Sequence, residues 1–244
     1  MTTSMNDNDN EASQSGGAIR GAFADTLTLI RICLTPVIMF VILKAWSAKP
    51  GDFGGFVSLD LELVLLASVL FVIAALTDIL DDFVGGRSNA RTRKLGWFDD
   101  IADSVLISGT LLSLVWVVGK ADLLHWSFAA PVLILVLRDV IVGIIKSYKF
   151  AKHKYQETRI GDFKNALAML AVCILVAAPW LSNLLDGFLA SRTDDISQLY
   201  NSAITLVWDI GLAVLWIAAI LSIYTGKKLL STKTATLEET REET

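Results

Sequence analysis

Leu63 to Thr77 read LVLLASVLFVIAALT, without one charged side chain, and the acidic stretch DILD follows at once at residues 78–81. A run this apolar predicts a helix in a lipid bilayer, where the backbone must satisfy its hydrogen bonds within the helix. The aspartates that follow are unexpected, because a charged group inside a span is costly and by default marks a functional site.

The same pattern extends over most of the 244-residue chain, which is 54% hydrophobic and only 19% charged. Further stretches without Asp, Glu, Lys or Arg occur at residues 32–43, 104–119, 123–137, 165–185 and 210–226. A bilayer core needs roughly 20 helical residues. We therefore predict an all-α polytopic membrane protein with six transmembrane helices, at residues 23–46, 59–81, 98–119, 124–148, 163–184 and 203–226.

The two ends of the chain differ in composition from this apolar region. Residues 1–18 and 231–244 are polar, and we predict a disordered lead-in and a disordered tail that flank a membrane domain at residues 19–230. With both termini on one side of the membrane, that side carries fifteen Lys and Arg residues, and the opposite side carries four. The positive-inside rule then places both termini in the cytoplasm.

Charge and cysteine content exclude other classes of protein. The formal net charge of −4 argues against a nucleic-acid partner. Cys33 and Cys173 lie inside apolar stretches without metal-ligand spacing, so we assign them no chemistry.

Four aspartates form the candidate metal site. Asp78 and Asp81 end the second predicted span, and Asp99 and Asp103 begin the third at the same depth. Spacings of three and four residues place each pair on one helix face. Four carboxylates so close together repel one another, and a divalent ion removes that repulsion. Oxygen ligands without nearby His or Cys favour Mg²⁺ or Mn²⁺, with a phosphorylated substrate as partner.

Two alternatives are open for these aspartates. They could mark the membrane boundary, with salt bridges to Arg87, Arg91 or Lys94, although Asp is a poor helix former and gains nothing deep in a span. The chain could also be a cation transporter. Against this, the acids lie at the cytoplasmic ends of the spans, and no inverted repeat is present.

The spacing of the aspartates resembles the signature of the CDP-alcohol phosphatidyltransferase family, D-x2-D-G-x2-A-R-x8-G-x3-D-x3-D. All four aspartates fall in the frame of this signature, with 17 residues between Asp81 and Asp99. The resemblance implies transfer of a phosphatidyl group from a CDP-linked lipid to an alcohol, with release of CMP. It also implies two Mg²⁺ or Mn²⁺ ions held by Asp78, Asp81, Asp99 and Asp103, with Asp103 as the general base.

The other signature positions differ from the family pattern. Asp82 stands at the glycine, Gly85 at the alanine and Gly86 at the arginine, with Arg87 one place later. The resemblance implies that these four residues bind the CDP part of the donor. Because Asp82 adds bulk and negative charge where the family has glycine, a paralogue that keeps the metal site without nucleotide binding is a further alternative.

Three more stretches of the sequence bear on which alcohol accepts the phosphatidyl group. LTLIRICLTP at residues 27–36 resembles the opening helix of the subgroup that makes phosphatidylglycerol phosphate. Arg138-Asp139 resembles an Arg-Glu pair, and TRIGDFK at residues 158–164 resembles a basic stretch opening the fifth helix, both in that subgroup. The alternative for Arg138 is simple pairing with Asp139.

The resemblance thus implies a donor, an acceptor and an assembly. The expected donor is CDP-diacylglycerol and the expected acceptor is glycerol 3-phosphate, although another alcohol remains open. The residues expected to bind the acceptor phosphate are Arg31, Arg138, Arg159 and Lys164. A homodimer in a bacterial inner membrane, with its active site facing the cytoplasm, is expected from the family and the topology.

Overall fold

A computed structural model of the chain describes residues 5–46, 59–85, 96–122, 124–150, 159–189 and 205–227. These residues form six helices and no strand. The helices are α1 (Met5–Ala45), α2 (Leu61–Gly85), α3 (Gly96–Lys120), α4 (Trp126–Phe150), α5 (Arg159–Leu189) and α6 (Thr205–Lys227).

Each helix contains a segment long and apolar enough to cross a membrane. The segments are Asp25–Ala45, Leu61–Asp78, Ile101–Lys120, Trp126–Ile144, Phe163–Leu185 and Thr205–Lys227. They agree with the six predicted spans to within a few residues at each end. The predicted all-α fold with six membrane-crossing helices is therefore confirmed, and the protein is an integral membrane protein.

The first helix begins earlier than the composition suggests. α1 starts at Met5 and runs for 41 residues, so it includes most of the stretch predicted as a disordered lead-in. Helix formation is cooperative, and extending a helix already nucleated in an apolar span costs far less than starting a new one. The predicted tail at residues 231–244 lies outside the described residues.

The third helix lies at the centre of the bundle. α1 packs against α2 and α3, α2 also packs against α5, and α3 also packs against α4 and α5. More than half of the α3 span is buried, 56% against 33–50% for the other five. α6 approaches α5 closely at Gly211, where a Cβ would lie 2.9 Å from Leu175 Cδ2. Phe128 of α4 packs on Trp208 of α6, with ring centroids 5.4 Å apart.

The outer surface of the bundle is apolar. Large hydrophobic side chains are exposed on all six helices, among them Phe40, Leu133, Leu170 and Ile220. So many exposed large hydrophobic side chains are unusual for a soluble monomer and suit contact with lipid chains.

Two contacts show which helix ends lie together. The Asp60 amide donates to the Ala45 carbonyl at 3.0 Å, joining the end of α1 to the start of α2. The Trp180 indole donates to Ser68 Oγ at 3.1 Å, joining the second half of α5 to the first half of α2. Contacts between Arg31 and Asp103, between Lys164 and Asp139 and between Arg138 and Thr225 place α3, α4 and α6 in the same way, so the helices alternate in direction. The first turns of the α1, α3 and α5 spans and the last turns of the α2, α4 and α6 spans lie at the other end, which we call the polar end.

Candidate active site

A buried ionic contact joins three helices at the polar end. Arg31 of α1 is fully buried, and its Nη1 donates a hydrogen bond to Asp103 Oδ1 of α3. The same nitrogen lies 3.2 Å from Asp78 Oδ1 of α2. Asp78 and Asp103, hereafter the acid pair, therefore come from consecutive helices and point at one position, as their spacing in the sequence predicts.

The pattern of α1 explains why Arg31 points inward. Leu27, Thr28, Thr35 and Ile38 are all buried, and together with Arg31 they recur at intervals of three or four residues along one face. Thr35 Oγ1 donates to the Arg31 carbonyl at 2.9 Å. A charge on this dry face needs carboxylate partners, and α2 and α3 supply them.

The other two predicted metal ligands lie one turn from the acid pair. Asp81 belongs to α2 and Asp99 to α3, but their side chains lie outside the described part of the chain. Among the described side chains, no group of three His, Cys, Asp or Glu comes together. The structure thus shows the convergence of two of the four predicted carboxylates.

The acid pair fits a divalent cation in chemistry and in placement. Both groups are hard oxygen donors, which Mg²⁺ and Mn²⁺ prefer. Their Oδ1 atoms already meet at one cationic nitrogen, so they need no rearrangement of α2 or α3 to share a cation.

A second ionic cluster joins α4, α5 and α6 at the same end. Lys164 Nζ donates to Asp139 Oδ1 at 2.9 Å, and Arg138 Nη1 donates to the same oxygen at 2.8 Å. Lys164 is 1% exposed and Asp139 is 8% exposed. Arg138 Nη2 also donates to Thr225 Oγ1 at 3.2 Å. We call these four residues the basic cluster, because two cations share one carboxylate in it.

Hydrogen-bonding groups beside the basic cluster are available to a ligand. Arg138 Nε and Ser222 Oγ are buried and have no hydrogen-bond partner among the described residues. Ser222 precedes Thr225 by three residues and Gly226 by four, so it shares their helix face. Gly226 in turn lies beside Arg138, because a Cβ there would be 3.7 Å from Arg138 Cγ. A buried polar group without a partner costs about 1–3 kcal/mol, which favours a bound polar ligand here.

The structure groups the four predicted phosphate-binding residues differently from the prediction. Arg138 and Lys164 come together, as expected. Arg31 does not join them, since it binds the acid pair. The Arg159 side chain lies outside the described residues, although Arg159 begins α5. The alternative for Arg138, pairing with Asp139, is confirmed as a contact.

The predicted donor-binding segment is described only in part. Asp82 and Gly85 belong to the last turn of α2, and nothing is described of the Asp82 side chain. Gly86 and Arg87 lie outside the described residues.

Sequence reasoning did not select Ser222 and Thr225 as site residues. Their only signal is two hydroxyls three residues apart near the end of the last span. Such hydroxyls are inexpensive in membrane helices, because they can bond to the backbone one turn back, as Thr225 does to the Leu221 carbonyl.

Comparison with protein families shows which family the chain belongs to. The family model described as CDP-alcohol phosphatidyltransferase matches residues 22–224, which include the acid pair, Arg31, Arg138 and Lys164. This chain belongs to the CDP-alcohol phosphatidyltransferase family. The resemblance inferred from the four aspartates is therefore confirmed, and members of this family generally depend on divalent metal ions.

Similar curated members of the family are bacterial. A Rickettsia felis protein is 28% identical over 203 residues, covering 82% of this chain and 88% of the relative. A Cereibacter sphaeroides protein is 26% identical over 177 residues, covering 66% and 77%. A Pectobacterium atrosepticum protein is 25% identical over 189 residues, covering 75% and 87%. All three are named CDP-diacylglycerol–glycerol-3-phosphate 3-phosphatidyltransferase.

Proposed function

We propose that this family member transfers the phosphatidyl group of CDP-diacylglycerol to glycerol 3-phosphate, giving phosphatidylglycerol phosphate and CMP in phospholipid biosynthesis. The observation that carries the proposal is the placement of the acid pair and the basic cluster at the same end of one six-helix bundle. A site with both features can serve a cation-assisted pyrophosphate reaction and also hold an anionic acceptor. The names of the similar bacterial proteins support this donor and this acceptor.

The acid pair and its two neighbours would hold the metal. Asp78, Asp81, Asp99 and Asp103 are the ligands for two Mg²⁺ or Mn²⁺ ions. When bound, these ions neutralise the donor pyrophosphate and stabilise the leaving phosphate oxygen.

Asp103 is the general base of the transfer. A hydroxyl oxygen of the acceptor attacks the lipid-side phosphorus of the donor, and its proton passes to the Asp103 carboxylate. The bond from that phosphorus to the bridging oxygen breaks, and CMP leaves with the electron pair. A carboxylate is a weak base for an alcohol, so positioning of the hydroxyl must supply much of the rate.

The basic cluster binds the acceptor phosphate. Arg138 and Lys164 carry two positive charges against the single carboxylate of Asp139, and Arg159 would add a third positive charge. Asp139 holds both cations in place when no acceptor is bound. Arg138 Nε and Ser222 Oγ are donors that a phosphate or a glycerol hydroxyl can use. We leave Arg31 out of this group because its guanidinium binds the acid pair.

The remaining parts of the proposal concern donor binding, the orientation in the membrane and the assembly. Asp82, Gly85, Gly86 and Arg87 would contact the CDP moiety, and the acyl chains would enter from the bilayer. The excess of Lys and Arg on the side of the polar end supports a cytoplasmic active site and cytoplasmic termini. A bacterial inner membrane and a homodimer complete the proposal.

The test is transfer of radiolabelled glycerol 3-phosphate into lipid by the purified protein. CDP-diacylglycerol is supplied as donor, with Mg²⁺ or Mn²⁺ added in one arm and chelated in the other. We expect lipid product and equimolar CMP only with metal. CMP release with serine or inositol phosphate alone would overturn the acceptor, and no CMP release with any alcohol would indicate a paralogue without activity.

A further inference from the structure

The acid pair already has a cation built into the fold. Arg31 is 0% exposed, lies inside the α1 span and is held on a face of buried residues that includes Thr28 and Thr35. A guanidinium does not lose its proton in proteins. The positive charge is therefore permanent, and the position of Arg31 in the packed helix keeps it beside Asp78 and Asp103.

A metal ion and Arg31 would share the same two carboxylates. Arg31 Nη1 contacts Oδ1 of both members of the acid pair. A divalent ion such as Mg²⁺ binds carboxylate oxygens at about 2.0–2.1 Å, closer than any guanidinium. An ion at the acid pair would therefore share its ligands with Arg31 and would be repelled by the guanidinium charge a few ångströms away.

The two carboxylates differ in exposure. The Asp103 side chain, which accepts a hydrogen bond from Arg31, is 9% exposed. The Asp78 side chain, whose Oδ1 lies 3.2 Å from Arg31 Nη1, is 25% exposed. A metal ion therefore reaches Asp78 more readily, and Arg31 holds the more buried Asp103 in position.

We propose that Arg31 is an internal counter-ion of the metal site, which weakens metal binding to the empty protein and keeps the Asp103 carboxylate in position. This inference rests on the metal site of the proposed function. It implies that the negative charge of a bound pyrophosphate is needed for tight metal binding. Arg31 is a positioning residue, since it acts through the carboxylates.

The test is direct measurement of Mn²⁺ affinity without donor or acceptor. The full-length protein is placed in nanodiscs of zwitterionic lipid, because anionic headgroups bind Mn²⁺ themselves, and free Mn²⁺ is followed by electron paramagnetic resonance. We expect Arg31→Gln to tighten Mn²⁺ binding by on the order of tenfold, because a competing charge at contact distance is removed.

Lys164→Gln is the matched control. It also removes a buried cation bound to a carboxylate at the polar end, but its partner is Asp139. We expect its Mn²⁺ affinity to stay within about twofold of the unmodified protein, since Asp139, the carboxylate that Lys164 binds, is not one of the four predicted metal ligands.

Each outcome of the Mn²⁺-binding measurements either supports or contradicts the proposed role of Arg31. A monodisperse, helical Arg31→Gln protein with unchanged or weaker Mn²⁺ affinity overturns it. If Arg31→Gln does not fold, the unmodified protein decides. We expect its Mn²⁺ affinity to rise at least several-fold when CDP-diacylglycerol is added, because the donor pyrophosphate offsets the Arg31 charge, and an equal affinity with and without the donor contradicts the proposal. If neither the unmodified protein nor any Arg31 variant binds Mn²⁺, the metal site itself fails. Mn²⁺ binding that Arg31→Gln leaves unchanged contradicts only the role of Arg31.

Discussion

The acid pair and the basic cluster are built from the same kind of contact with opposite charge balance. At the acid pair one buried cation, Arg31, serves two carboxylates. At the basic cluster one buried carboxylate, Asp139, serves two cations. Among the described side chains, the first group therefore has one more carboxylate than cations, and the second has one more cation than carboxylates. We expect the first group to attract a cation and the second an anion, which is the combination that the proposed transfer to an anionic acceptor requires.

The largest expected effect comes from the base at the acid pair. Asp103→Asn keeps the size of the side chain but removes its ability to take a proton. We expect a loss of transfer activity of about 10³-fold, within the usual range for removal of a general base. The measurement is initial rate of lipid product at saturating donor and acceptor, with donor binding measured separately and expected to persist.

A carboxylate at the other end of the bundle supplies the control for this change. Asp60 accepts hydrogen bonds from the Glu62 and Leu63 amides at the start of α2, and an asparagine can accept the same bonds. Asp60→Asn should therefore keep normal transfer. Near-normal turnover of Asp103→Asn would remove Asp103 from the role of base.

Removal of one cation from the basic cluster should weaken acceptor binding selectively. We expect Lys164→Gln to raise the KM for glycerol 3-phosphate by about 10- to 100-fold, as loss of a hydrogen bond to a charged group predicts. The KM for CDP-diacylglycerol should change little. Initial rates with each substrate varied in turn separate the two constants.

Lys227→Gln is the control for acceptor binding, because Lys227 is also at the polar end but is exposed. Its KM for glycerol 3-phosphate should stay normal. An equal rise of both KM values in Lys164→Gln would show a general structural effect and would contradict an acceptor site at the basic cluster.

Removal of the shared carboxylate of Asp139 should lower the stability of the protein and make that stability depend on a bound anion. Asp139→Asn removes the carboxylate that both cations share, which should cost about 3 kcal/mol of stability. We expect a lower Tm that glycerol 3-phosphate partly restores, since its phosphate supplies the lost negative charge. Thermal unfolding with and without the ligand measures this. Restoration no greater than the stabilisation of the unmodified protein by the same ligand would count against the cluster as an anion site.

The two groups also differ in how far they could be predicted from the sequence. The six spans follow from uncharged stretches, and the convergence of Asp78 and Asp103 follows from their positions at the facing ends of consecutive spans. Arg31 could not be assigned in the same way. Its partners lie 47 and 72 residues away along the chain. Only the packing of α1 against α2 and α3 shows that Arg31 binds the two aspartates and does not join Arg138 and Lys164 in a phosphate-binding group.

The extent of α1 and the role of α6 were missed for different reasons. A polar composition predicts disorder, but a helix anchored in the membrane can propagate into such a stretch. Ser222 and Thr225 carry no charge, so nothing in the sequence separates them from the other hydroxyls of the spans. Their proposed role at the acceptor site depends on the neighbouring Arg138, and the packing of α6 on α4 brings them beside it.

The smallest expected effect concerns Ser222. Its hydroxyl is buried and has no partner among the described residues, so Ser222→Ala should leave the Tm unchanged or slightly higher. If the hydroxyl meets the acceptor, the KM for glycerol 3-phosphate should rise by about 2- to 10-fold, the value of one neutral hydrogen bond. Ser182→Ala is the matched control, because Ser182 is equally buried but bonds to the Pro179 carbonyl, near the opposite end of the bundle. A normal KM in both variants would restrict the acceptor site to the basic cluster. A rise in Ser222→Ala alone would extend the site along α6 from Thr225 to Ser222, so that α6 would bind the acceptor directly as well as anchor Arg138.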